Sequence, residues 1–292
     1  MNVRVLLWLV ALPLAARAAP LLSIDFNCRT NSGSAQMQPG FSSFLITSNV
    51  SASTLQTNET LRTVGTNRVH VWGNGLNKGY GDLFRWLPTN QGAFSDGQLL
   101  RDCVYSPDTT TNGGLNVQID NLSGSNRFLV TVWSFNEDSA PIRASDWYAN
   151  KVLVRRGYQF TNSVLPVRND QYRFSFTAFT DAAGQLLIEG RRNPVSTNAN
   201  GAIFPVPGVY LNALQIDPEP LEIMNIATNA SELRITFVVR PQPPGGYVIE
   251  ETSGGAWNTF SGVSYSSPTN NRVTARFPRP SQPRLYRIRY NY

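Results

Sequence analysis

The sequence has one histidine, two cysteines and two lysines, and its charged residues make up only 15% of the chain, against roughly 25% in an average soluble protein. Each shortage excludes something. With His70 alone, neither a multi-histidine metal centre nor a Ser-His-Asp set can be assembled freely. Cys28 and Cys103 stand too far apart for the paired spacing of a zinc site. No glycine loop that cradles phosphate precedes a helical pattern, which argues against nucleotide chemistry. The sequence therefore predicts no cofactor and names no metal ligands, leaving a structural calcium open.

Long apolar runs are also missing, apart from one at the start. Arg4, the run Val5 to Leu14 and Ala16-Arg17-Ala18 have the basic, apolar, small-residue order of a secretory signal. The run is about ten residues, half of what a membrane-spanning helix needs, and it contains Pro13. Residues 1–18 are read as a cleaved signal peptide, giving a secreted or extracytoplasmic protein with no transmembrane segment. Arg4 and Arg17 leave with it, so 25 − 2 = 23 basic groups face 19 acidic ones, a net +4. That excess is too small and too spread out to predict nucleic-acid binding.

Export also bears on the cysteines. An oxidising compartment lets Cys28 pair with Cys103 as a disulfide, worth roughly 4 kcal/mol in the chain-entropy model for so long a loop. The alternative is two buried thiols, since connectivity is not written in sequence.

Period-two alternation is the dominant pattern, and it is the mark of strands with one face on a core. Tyr172, Phe174 and Phe176 alternate with Arg173 and Ser175; Leu115, Val117 and Ile119 with Asn116 and Gln118; Leu233, Ile235 and Phe237 with Arg234 and Thr236. Turn signals at Asn112-Gly113-Gly114, Asp181 to Gly184, Pro243 to Gly246 and Ser253 to Gly255 separate such runs. No window after residue 18 sustains a helical period. The fold class expected is all-β, a jelly-roll β-sandwich with a second, smaller β-sandwich after it. Pro218 and Pro220 cannot both continue a central strand, so the first domain is placed at 19–217 and the second at 220–292.

Several short motifs of the first domain resemble the lectin-like jelly rolls related to malectin and galactose-binding domains in large secreted bacterial proteins. They are Ser23-Ile24-Asp25-Phe26 with Gln38-Pro39-Gly40-Phe41, then Leu99 to Asp102, Phe128 to Phe135, Asp146 to Lys151, Thr180 to Gln185, and Tyr210 to Ile216. The chain departs from the pattern at Asn150-Lys151, where Asn-Gly is usual, and at Cys103, where glycine or an aromatic is expected. The later segment, with Tyr247 to Glu250, Trp257 and Leu285 to Ile288, is similar to small fibronectin type III-like sandwiches. The resemblance implies sugar recognition. One fold hosts many activities, so the residues must carry any assignment.

The polar residues suggest three uses. Glu137-Asp138 and Asp146 offer a carboxylate pair of the kind a glycosidase needs, although loop acids are more often simply solvated. Asp25 and Asp217, on the first and last strands, are too few to predict calcium. Sugar binding asks for an aromatic plate with polar groups beside it, which Arg85 and Trp86 supply in one loop, with Arg143 and Tyr148 beside another. Trp86 either serves that purpose or packs beneath its own loop. Residues 252 to 292 carry six arginines and no acid, which fits either an anionic surface or a charge-protected edge strand. The reading is a secreted, non-enzymatic carbohydrate-binding or cell-surface protein whose partner is a glycan or anionic polysaccharide. The rivals are a structural or adhesive envelope protein without a sugar pocket, and a carbohydrate-active enzyme using paired carboxylates.

Overall fold

The computed structural model describes residues 20–27, 37–46, 55–76, 78–137, 142–161, 164–195, 207–218, 223–238, 247–252, 258–267, 269, 272–279 and 285–290. The expected signal peptide lies outside them.

The protein is all-β, as its alternation predicts, and the one helix among the described residues, α1 (Gly97–Arg101), is a single short turn. The first fourteen strands are β1 (Leu22–Asn27), β2 (Ser42–Leu45), β3 (Thr60–Val64), β4 (Asn67–Asn74), β5 (Gly81–Phe84), β6 (Asp102–Ser106), β7 (Gly114–Asp120), β8 (Arg127–Trp133), β9 (Ile142–Ala149), β10 (Val152–Thr161), β11 (Arg173–Phe179), β12 (Leu186–Arg192), β13 (Val209–Leu211) and β14 (Ala213–Pro218). They form a five-stranded sheet, β11-β8-β14-β1-β2, a six-stranded sheet, β10-β9-β12-β7-β4-β3, and a small sheet, β13-β6-β5. β14 lies between β8 and β1, antiparallel to both, and its last residue is Pro218.

The two large sheets meet through aromatic rings. Phe174 on β11 lies 5.6 Å from Trp147 on β9 and 4.8 Å from Tyr158 on β10, measured between ring centroids. The polar ends of Trp147 and Tyr158 are satisfied inside the core, which removes the cost of burying them. The Trp147 indole Nε1 donates to Ser145 Oγ at 2.9 Å and the Tyr158 hydroxyl to the Ser134 carbonyl at 2.7 Å.

Two turns explain local choices. Gly184 has φ +77°, and a Cβ there would stand 1.9 Å from the Leu122 carbonyl oxygen, so only glycine fits. Asn150 and Lys151, between β9 and β10, have φ of 46° and 67°. The left-handed conformation explains why Asn-Gly is favoured in such a two-residue hairpin turn. Here the strain of Lys151 is offset by hydrogen bonds: Asn150 accepts from the Leu187 amide and donates to the Phe179 carbonyl, while Glu189 accepts from the Lys151 amide.

The remaining seven strands are β15 (Ile223–Thr228), β16 (Glu232–Val238), β17 (Tyr247–Thr252), β18 (Asn258–Thr259), β19 (Ser264–Tyr265), β20 (Arg272–Pro278) and β21 (Leu285–Tyr290). They make two sheets, β15-β16-β20-β19 and β18-β17-β21, around a core of their own that includes Ile235, Phe237, Ile249, Val273 and Phe277. Of the terminal arginines, Arg272 and Arg276 are exposed on β20.

Candidate functional site

β5 leaves the small sheet at Phe84 and the chain then turns through Arg85, Trp86 and Leu87. Trp86 is 74% exposed, so it does not pack beneath its own loop. Its ring stands edge-on to Phe84, 4.9 Å between centroids at 84°. The loop beneath is tied at several points. The Arg85 amide donates to the Arg101 carbonyl (2.8 Å), the Arg85 Nε to the Glu137 carbonyl (2.6 Å) and the Arg101 Nε to the Pro88 carbonyl (3.0 Å). Both guanidinium groups thus donate to backbone carbonyl oxygens, and such charge-assisted bonds are stronger than neutral ones. Arg85 therefore braces the loop and joins it to the segment following β8.

Arg143 and Tyr148 do not join this cluster. They are an odd number of residues apart on β9, so they point to opposite faces. Five residues of strand also separate them by about 16 Å. Arg143 is buried, with its guanidinium 5.7 Å from the Tyr210 ring and Nη1 donating to the Pro207 carbonyl. It packs rather than presents itself to a ligand. Tyr148 is partly exposed on the outer face of the six-stranded sheet, while Trp147 beside it is in the core. The four residues that the sequence groups around sugar binding thus occupy a loop, an interior and a sheet face.

The acids are also dispersed. Asp146 Oδ1 accepts from the Gly157 amide (2.6 Å) and from Asn193 Nδ2 (2.9 Å), holding the bulge in β10. Glu137 contributes its carbonyl to Arg85, and Asp138 lies outside the described residues. Asp25 pairs in register with Ala213, whereas Asp217 is four residues further along β14, accepting from Gln215. The carboxylate beside Asp25 is instead Asp102, at the start of β6. Burial pushes the Asp25 carboxyl up to about 7, with Asp102 acting in the same direction against the bond from the Gln38 amide (2.9 Å). Among the described residues no group of three or more acids, histidines or cysteines is placed to hold a metal.

Cys103 is buried on β6 opposite Leu83, and Cys28 lies outside the described residues. The end of β1 and the start of β6 are close through Asn212, whose carbonyl accepts from the Phe26 amide (2.8 Å) and whose Nδ2 donates to the Asp102 carbonyl (2.7 Å). His70 faces outward between the buried Val69 and Val71, and it has partners: Nε2 lies 2.8 Å from Asp120 Oδ2 and Nδ1 meets Glu59. Trp72 shares its outward parity. The alternation that orients His70 would have revealed Trp72 on the same face.

Fold and loop together define an all-β jelly-roll protein that holds one large indole out on a braced loop. No family model and no curated protein matches the chain. Among solved structures it is similar to a family 35 carbohydrate-binding module from Clostridium thermocellum, at 11% identity and a TM-score of 0.26, over 55% of this chain and 97% of that one. It is similar also to a module of the same family from Paenibacillus barcinonensis, at 12% identity and a TM-score of 0.25, over 46% of this chain and 87% of that one. Likeness at this level reaches no individual residue, so a functional assignment has to rest on the chain's own side chains.

Proposed function

We propose that the protein is exported and binds carbohydrate without turning it over, through the loop that carries Trp86. The observation that supports this most is an indole 74% exposed on a loop whose backbone is fixed by two arginines. An exposed ring is costly to leave in water, and a pyranose offers an apolar face that covers it without desolvating the surrounding polar groups. Because the loop is already braced, little conformational freedom is lost on binding. Export rests on the N-terminal pattern of basic, apolar and small residues.

Stacking one ring on a sugar contributes on the order of 1 kcal/mol beyond area burial. Trp86→Ala should therefore weaken glycan binding several-fold to tenfold and leave thermal unfolding unchanged, as read on a glycan array followed by titration of the best ligand. Unfolding of the variant would show that the ring supports the loop. Equal binding by variant and parent would move the ligand elsewhere. A structural or adhesive role is the second reading, favoured by β15, where Ile223, Met224 and Ile226 are all exposed.

A further inference from the structure

The outer face of the six-stranded sheet carries an ordered row that the Trp86 loop does not explain. Register places Trp72 on β4 opposite Asn116 on β7, Asn116 opposite Glu189 on β12, and Glu189 opposite Tyr148 on β9. All four have outward parity, because their neighbours Val71, Val117, Ile188 and Trp147 are core residues. Trp72 and Tyr148 are partly exposed. Three strand steps separate the two rings, about 14 Å, the length of a short run of sugar rings.

The polar groups between the rings are fixed in place. One Arg191 nitrogen, Nη2, donates to Asn116 Oδ1 and to Glu189 Oε1, both at 2.6 Å, while Nη1 donates to the carbonyls of Leu115 and Gly190. Glu189 Oε2 accepts from the Lys151 amide (3.1 Å). The acid and the guanidinium between the plates thus neutralise each other. Asn116 is buried and bonded to Arg191, so what a ligand meets between the two aromatic plates is the part-exposed Glu189–Arg191 pair, which suits a ligand that has apolar faces and many hydroxyls but no charge.

We infer that this face is a second carbohydrate-binding surface, taking a neutral linear glycan laid across the strands from Trp72 to Tyr148. It is independent of the Trp86 loop, since it uses other elements and another face. The whole chain carrying Trp86→Ala removes the first site from the test. Titrated with cellohexaose, xylohexaose, mannohexaose and laminarihexaose, it should still bind at least one of them. Adding Trp72→Ala or Tyr148→Ala should weaken that binding several-fold, while Trp72→Phe, which keeps a ring, should retain most of it. Tyr148→Ala decides alone if Trp72→Ala lowers the melting temperature. Absence of binding by all four neutral chains, binding unaltered by Tyr148→Ala, or stronger binding of an oligogalacturonate than of every neutral chain would each overturn the proposal.

Discussion

The two sandwiches bury their aromatic residues on different scales. In the first, rings from both sheets form a continuous series, Trp147 to Phe174 to Tyr158 to Phe160, and then on to Phe135 and Tyr172. In the second, Phe260, Phe277 and Tyr286 form one compact group, and β15 stays exposed along its whole length. A short segment has too little volume to cover both faces of every strand, because buried fraction rises with domain size. The large sandwich can therefore leave a tryptophan exposed. The small one has few apolar groups to lose.

Truncating each core is the most direct way to break this contrast. Trp147→Ala and Phe237→Ala, both of fully buried rings, should each cost about 3–5 kcal/mol. In calorimetry each should lower one transition and leave the other in place, and cleavage between Asp217 and Glu219 should leave two folded pieces. A single transition shifted by both substitutions would show that the sandwiches unfold together.

Next in size is the proposed bond between Cys28 and Cys103, roughly 4 kcal/mol and confined to the first sandwich. Peptide mapping without reduction should recover the two cysteines joined, and reduction should lower the first transition alone. Recovery of both as alkylated thiols removes the idea.

The last effect concerns Asp25 and depends on pH. Its carboxyl titrates near 7 in the folded chain, against 3.8 ordinarily, so the fold favours the protonated form. The stability this contributes is fully present below pH 4 and lost as pH rises through about 7. Asp25→Asn should thus melt higher than the parent at pH 8, with the gap closing toward pH 5. A gap independent of pH would mean that burial does not hold this proton.

The strands were legible because alternation is local: Tyr172, Phe174 and Phe176 announce an inner face whatever lies opposite. Parity also reaches Arg143, which stands an even number of residues from Trp147 and shares its inner face. What stayed hidden depends on distant partners. Nothing near Asp25 in the chain points to Asp102, and nothing near Trp86 reveals the carbonyl of Glu137 that braces its loop. The three-stranded sheet was equally illegible, because β13 and β6 pair across a separation of 209 − 106 = 103 residues.

Asn212 lies between β13 and β14, with its backbone and side chain bonded to Phe26, Trp133, Phe135 and Asp102. That position matters during biosynthesis. Chains emerge from the N-terminus first, yet β1 and β8 have no direct pairing and both wait for β14 to enter between them. Until residue 218 is available, β1 and β8 each present an open edge that β14 later covers, and open edges recruit strands from other chains. A truncation before Asn212 should therefore aggregate rather than leave a smaller folded sandwich.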